Sequence, residues 1–347
     1  MLRTLIRLSD GTEISSGSGA SMNIRSCTTT HCCNSGEDLT IGSVCAACVE
    51  MVVQAPANVF RSDDVFTLHK VDDIGNETQI GVFNVQTPQK KGNQLWQVTA
   101  YDNVIKLDKD ITEWFIEVLK SHILNPPQLA RMVCEECGVV LGYHPLYDSD
   151  LHVISQPPLP NGLITGRKVI RWIAEMLGYF CVAAPNGELG FRWYVDKTNV
   201  VLSGAGSRFR IQGSYKWKNE ILPIDSVRII NSNGNYRSST IDSIGNQYII
   251  RDNPFLEGYA SVKHAGYILQ RLLDEKEIFE CQGFGNLAAC EVSIPASLDV
   301  NVGDIIVVDE QDPGEQNTYK NCMCVMTKIQ KGQKDTLYCT GSYRRRN

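Results

Sequence analysis

A mainly β fold built around an α+β middle region is predicted by three observations. Apolar and polar residues alternate with period 2 through the first third of the chain, with Gly-Asn pairs between the runs. Apolar stripes of period 3.6 replace that alternation from about residue 108. Strand-like runs then return from Ser203 to the C-terminus. The expected division is an N-terminal arm over residues 1–24, a first β domain over 25–107, an α+β middle domain over 108–202, and a second β domain with one helix over 203–347.

In the first β domain, strands are expected in LTIGSVCAACVEMVV, VFTLHKV, QIGVFNVQ and QLWQVTAYD. In the last of these, Trp96, Val98 and Ala100 alternate with Gln97 and Thr99, as in a sheet with one buried face. Gly75-Asn76 and Gly92-Asn93 supply turns. The middle domain opens with DITEWFIEVLK, where Ile111, Trp114, Phe115, Val118 and Leu119 share a helical face that ends before Pro126-Pro127. QLARMVCEECG predicts a second helix. GRKVIRWIAEMLG predicts a third, with Thr165 as N-cap, Val169, Ile170, Ile173 and Leu177 on one face, and Gly178 just past its end. YFCVAAPNGELGFRWYV reads as a hairpin around Pro185-Asn186-Gly187, and the Pro-rich HVISQPPLPNGLI as a surface crossing. The second β domain places strands in DSVRIINS, NQYIIRD, FECQGF, AACEVSI, DIIVVDE and CMCVMTKI. Its helix is YASVKHAGYILQRLLDE, with Val262, Gly266, Leu269 and Leu273 on a stripe.

The two β regions echo each other. Ala46-Ala47-Cys48 is followed 16 residues later by Asp64 opening a strand, and Ala288-Ala289-Cys290 is followed 14 residues later by Asp304 opening another. A duplication would leave such a pattern and would give two related β-barrels.

Composition narrows the function classes. A chain of 347 residues, 43% hydrophobic and 21% charged, has enough apolar content for about two globular domains at roughly 150 residues each. The first twenty residues lack the continuous apolar stretch of a signal peptide, and no run of 18 apolar residues suggests a membrane anchor. The net charge of −6 argues against gripping nucleic-acid phosphates as the main task. The 13 cysteines are odd in number and spread along the chain, as expected of reduced thiols in a cytosolic product.

Cys27, His31, Cys32, Cys33, Cys45 and Cys48 include the ligand types of a zinc site, but Cys45 and Cys48 fall inside an apparent strand, where residues three apart face opposite ways. Cys134 and Cys137 sit late on a helix beside core positions, and Cys322 and Cys324 alternate along a strand; both pairs read as packing. Gly17-Ser18-Gly19 is too short for a nucleophile elbow, and Gly204-Ala205-Gly206-Ser207 lacks the Lys-Ser/Thr ending of a phosphate loop and reads as a flexible connection. Asp63-Asp64 and Asp72-Asp73 read as solvated turns rather than a glycosidase pair. Arg344 to Arg346 read as an exposed terminus. No catalytic, cofactor-binding or metal-ligating residue is predicted. Two alternatives stay open: a metal-binding or redox protein using Cys32, Cys33, Cys45 and Cys48, and a carbohydrate module using Trp193, Tyr194, Tyr215 and Trp217.

The ordered set LTIGSVCAACVEMVV, GVFNVQTP, QVTAYDNVIKLD, GRKVIRWIAEMLGYF with its NGEL hairpin, YIIRDNPFLEG and VGDIIVVDE resembles the phage tail hub family, over about residues 25 to 343. That family comprises the baseplate hub proteins of contractile tails and the hub part of tail-associated proteins in long non-contractile tails. The resemblance implies two tail-tube-like β-barrel domains flanking a mixed helical and hairpin domain, and a homotrimeric, non-enzymatic structural role; some hubs of the family carry metal clusters, which keeps the metal alternative open, while no cofactor is expected. It also implies partners: a tail tube or distal tail protein, a tape measure protein, spike or tail fibre proteins, and genomic DNA that passes without specific binding. The implied place is the virion's tail tip or baseplate, assembled in the bacterial cytoplasm. The chain stops at Asn347 soon after the second β region, so a lytic role is not implied.

Overall fold

The structure, a computed structural model, describes residues 3–17, 21–33, 40–122, 124–142, 162–193, 195–201, 216–221, 224–231, 234–239, 246–256, 265, 266, 268, 286–295, 300–311, 319–332 and 334–343. The first β region holds β1 (Arg3–Leu8), β2 (Glu13–Ser15), β3 (Asn23–Cys32), β4 (Cys48–Gln54), β5 (Val65–Val71), β6 (Glu77–Val85), β7 (Gln89–Gly92) and β8 (Leu95–Asp102). A 3-10 turn, Asn103–Asp108, leads into α1 (Thr112–Ser121), α2 (Pro126–Glu136) and α3 (Gly166–Leu177). A hairpin of β9 (Phe180–Ala183) and β10 (Leu189–Arg192) follows, then β11 (Val195–Val201), β12 (Lys216–Ile221), β13 (Ile224–Asn231), β14 (Gly234–Ser239) and β15 (Asn246–Arg251). The chain ends in β16 (Asn286–Pro295), β17 (Asp304–Gln311), β18 (Tyr319–Lys331) and β19 (Lys334–Tyr343).

Local sequence explains most of these elements. In β4, Val49, Met51 and Val53 are buried while Glu50 is exposed, so a two-residue period lines one face with apolar groups. The turn from β5 to β6 is closed by the Asp72 carboxylate, which accepts the N–H groups of Ile74 and Asn76, with Gly75 at φ 91°. The Pro126-Pro127 pair that ends the first stripe also starts α2: Asn125 accepts from the Gln128 N–H, and Gln128 reaches back to the Asn125 N–H. Thr165 caps α3 through the Lys168 N–H, and Gly178 ends it at φ 72°.

Two differences from the sequence expectation concern which residues join which core. The segment read as an N-terminal arm contains β1 and β2; β1 pairs antiparallel with β5, and Ile6 and Ile14 lie in the first β core. The paired strands supply backbone hydrogen bonds that a free arm would leave to water. The residues after 203 also divide. Val227 and Ile229 of β13, Ile250 of β15, Phe255 and Leu256 pack with α1, α2 and α3 rather than with the final β strands. Asn253 fixes that join: it is fully buried and donates to the Trp172 carbonyl at 2.9 Å and the Glu175 carboxylate at 3.1 Å. The helix expected over 259–275 falls largely outside the described residues, with Ala265, Gly266 and Ile268 helical.

Strands of both β regions form one continuous sheet, ordered β12-β16-β19-β18-β3-β4-β8-β6-β5-β1-β2, with β17 beside β18, β11 beside β17 and β7 beside β8, while β14-β13-β15 form a separate three-stranded sheet. Within it a strand order repeats. The first β region reads β3-β4-β8-β6-β5-β1, and the second reads β12-β16-β19-β18-β17-β11. All neighbours along the first five positions are antiparallel in both. The sixth position differs, because β1 runs antiparallel to β5 whereas β11 runs parallel to β17.

Candidate functional site

The two halves of the repeat meet where Lys328–Lys331 of β18 pairs antiparallel with Thr29–Cys32 of β3. Alternation places Cys27, Thr29 and His31 on one face of β3. Cys27 packs against the first β core, and the His31 ring meets Phe83 edge-on at 6.5 Å between centroids. The Thr29 hydroxyl and His31 Nε2 are buried without a hydrogen-bond partner among the described residues. Beside them, Lys70 Nζ lies 3.2 Å and 3.4 Å from the two oxygens of Asp335, which is fully buried and also accepts from the Gly332 N–H at 3.3 Å. This ion pair joins β5 of the first half to β19 of the second.

Electrostatics keep the neighbouring groups uncharged at neutral pH. Burial pulls His31 down to about 3, helped by the positive charges of Lys331 and Lys70. Burial pushes the Cys27 thiol up to about 12.

The six residues of the proposed ligand cluster divide between two places. Cys27 and His31 face the seam and the first core, as described. Cys32 lies on the other face of β3, where its thiol and that of Cys45 share a hydrogen bond. That bond draws the Cys32 thiol below its ordinary range and, together with burial, drives Cys45 above it. Cys33 is buried close to Cys45, and burial raises Cys48. Contrary to the sequence expectation, Cys45 is not in a strand: β4 opens at Cys48. The preceding loop is held instead by a bridge between Val44 and Cys181 and by Tyr248, whose hydroxyl donates to the Ile41 carbonyl at 2.9 Å. Among the described residues, no three His, Cys, Asp or Glu side chains are arranged to hold a metal ion.

The remaining sequence candidates have structural surroundings. Cys134 and Cys137 are buried at the end of α2, with burial raising them to about 12 and about 11, which leaves unreactive thiols. Cys290 and Cys339 sit directly opposite each other on β16 and β19, both buried. Cys322 and Cys324 lie on β18, opposite Val308 and Ile306. Asp64 accepts the Arg61 N–H, and the Asp63 N–H bonds the Val85 carbonyl, so this pair builds a turn like that at Asp72. Trp193 packs against the middle core and Trp217 lies on β12, while Tyr194 and Tyr215 fall outside the described residues. Ser18, Gly19, residues 204–207 and residues 344–346 also fall outside them.

Sequence reasoning missed the groups that tie distant elements together. Buried Asp102 caps two loops at once, accepting the Ala47 N–H at 2.9 Å and the Val104 N–H at 3.0 Å, and burial raises it to about 6 against those bonds. Arg167 on α3 reaches the Val44 and Val104 carbonyls and pairs with Asp108. The only local signal was an isolated charge at the edge of an apolar run. No described helix is long and apolar enough to cross a membrane.

No protein-family model matches the chain, and no curated protein matches it by sequence. Solved structures do. The chain is similar to the 43 kDa tail protein of prophage MuSo2 from Shewanella oneidensis, with TM-score 0.60, 10% identity, and 98% of this chain and 97% of that one covered. It is similar to the tail protein from Neisseria meningitidis MC58, with TM-score 0.57, 10% identity and coverage of 98% and 96%. It is also similar to prophage tail protein gp18 from Listeria monocytogenes EGD-e, with TM-score 0.50, 10% identity and coverage of 96% and 94%. At this identity the likeness establishes a shared fold along nearly the whole chain.

Proposed function

We propose that the chain is a non-enzymatic structural component of a phage tail, a homotrimeric hub that joins the tail tube or distal tail ring to the spike or fibre-bearing tip. The fold shared with prophage tail proteins supports the tail assignment. The observation that carries the hub reading is the strand order repeated within one sheet. A chain holding two like β modules, read as tail-tube-like barrels, presents six of them around a threefold axis, which is what a sixfold tube meeting a threefold tip requires. The channel would adjoin the tape measure protein and pass genomic DNA, and a net charge of −6 disfavours non-specific retention of that DNA. The site of action is the tail tip of the virion, after assembly in the host cytoplasm.

Native mass spectrometry of the reduced, full-length protein tests this reading. A trimer without metal is expected; a monomer carrying zinc or an iron cluster would overturn it. The hydrogen-bonded Cys32–Cys45 pair favours a second reading, a metal-binding or redox protein. Cys45→Ser/Cys48→Ser separates the two, because a hub keeps its fold and assembly whereas a metal-dependent fold is lost.

A further inference from the structure

We infer that Cys32 and Cys45 are a disulfide-forming pair: a hydroperoxide oxidises Cys32, Cys45 resolves it, and the new bond staples the end of β3 to the loop that precedes β4. This bond does not depend on the hub reading. It stays open in a reducing cytosol and closes in an oxidising medium.

Placement selects the pair. Cys32 is the last residue of β3, opposite Lys328 of β18. Cys45 lies 13 positions on, in the loop before β4, and the two thiols share a hydrogen bond. Both are half-buried, within reach of a small oxidant. The two backbones already meet, because the Ser43 hydroxyl donates to the Cys33 carbonyl. The neighbouring thiols are less suited. Cys48 is hydrogen-bonded to Tyr101, its partner across β8, and Cys33 is buried. A second thiol pair offers a comparison within the chain. Cys290 and Cys339 face each other on β16 and β19 and also share a hydrogen bond, but both are buried, and that bond together with burial holds Cys339 well above the ordinary thiol range.

Charge assigns the roles. The thiolate is the nucleophile, and the hydrogen bond with Cys45 lowers Cys32 against the effect of its burial, with Lys328 adding positive charge. Cys45 is driven the other way and keeps its proton. The Cys32 thiolate attacks the O–O bond of hydrogen peroxide, which leaves a sulfenic acid on Cys32 and releases hydroxide. The Cys45 sulfur then displaces the sulfenic oxygen, which departs with the Cys45 proton as water. The proton that Cys32 gave up neutralises the hydroxide. Two thiols and one peroxide thus become one disulfide and two waters, the sulfurs oxidised and the peroxide oxygens reduced.

The bond joins parts that are otherwise held by hydrogen bonds. The Cys45 loop is tied to the middle domain: the Gly42 N–H donates to the Tyr179 carbonyl at 2.6 Å, the Cys181 N–H to the Ser43 carbonyl at 2.9 Å, and Arg167 to the Val44 carbonyl at 3.2 Å. Cys32 lies in the stretch of β3 that pairs with Lys328–Lys331. A Cys32–Cys45 bond therefore links the junction of the two β halves to α3 and β9.

The test treats the reduced, full-length protein with hydrogen peroxide in the presence of EDTA, blocks the remaining thiols, and maps peptides by mass spectrometry without reduction. A Cys32–Cys45 link should form first, and the melting temperature should rise by a few degrees and return with dithiothreitol. Cys48→Ser should keep the link and the rise. Cys32→Ser and Cys45→Ser should each lose both while melting close to wild type when reduced. Dimedone should label Cys32 in Cys45→Ser several-fold more than it labels Cys45 in Cys32→Ser; the reverse ratio would overturn the assigned roles. A first link at any other pair, Cys290–Cys339 included, would overturn the inference, as would thiols that all stay free under excess peroxide, and either result would leave the hub reading untouched.

Discussion

At Gly42, φ is +79° and an added Cβ would collide with Glu175 Cγ and lie 3.1 Å from the Glu175 Cα. Its N–H also bonds the Tyr179 carbonyl at 2.6 Å, so the loop has little room to back away. Gly42→Ala should cost about 3 kcal/mol through overpacking and left-handed strain together. Gly75→Ala, at φ +91° with nothing within 4 Å, should cost only the strain, about 1 kcal/mol. Equal losses for the two in denaturant titrations would rule out the close approach to Glu175. His31 sets a pH dependence. Its pKa is lowered from 6.5 to about 3, so the unfolded chain takes up a proton that the folded one refuses. Its contribution is therefore complete above about 6.5 and is lost as pH falls towards about 3. Between pH 6.5 and 5 the loss should reach roughly 2 kcal/mol. Asp102 works in the opposite sense: its raised pKa, about 6, favours the fold as pH falls through that value. The informative quantity is thus the difference between wild type and His31→Gln. An unchanged pH slope in the variant would remove His31 from the account.

At the level of elements, the join between β5 and β19 depends on an ion pair whose acid is fully buried. Breaking such a pair leaves a buried charge, so Lys70→Met should destabilise by about 3 kcal/mol. Lys70→Met/Asp335→Leu should recover most of that, because an apolar pair of similar volume has no charge to desolvate. A double variant no more stable than Lys70→Met would show that packing at this seam, rather than charge, limits stability. Short elements were the hardest to see in the sequence. β2 spans Glu13–Ser15 and β7 spans Gln89–Gly92, too few residues for a period to declare itself, and their partners, not their own residues, make them strands. α3 was plain because its cap, apolar stripe and terminal glycine are all local.

For the whole molecule, the repeat visible as Ala-Ala-Cys twice over corresponds to equivalent strands, β4 and β16, yet the triplets are one residue out of phase. Ala47 and Ala289 are both buried, but from the cysteine onward β4 buries Val49 and Met51 and leaves Cys48 half-buried, whereas β16 buries Cys290 itself and Val292. A one-residue slip moves every side chain to the other face, so the match in letters is weaker than the match in topology. Two consequences can be measured. Cys45→Ser/Cys48→Ser should melt within a few degrees of wild type and bring down the same number of chains by native mass spectrometry; loss of the fold would favour the metal reading. Particles made without this protein should lack complete tails, and complete, DNA-ejecting tails would remove the hub role.

Residue order alone was enough for many of the β runs, the three helices, the Thr165 and Gly178 caps of α3, and the turns at Gly75, just after Gly92 and at Gly187, because each depends on neighbours within a few positions. It was also enough to suggest that the β regions resemble each other. Folding decided the rest. It settled whether the six candidate ligands meet at one place or divide between two, and whether residues 224–256 pack with the helices or with the last strands. Lys70 and Asp335 are 265 positions apart, and no local pattern encodes a pairing across that separation. Long-range contacts follow from which apolar faces can be buried together, a property of the assembled chain and not of any stretch within it.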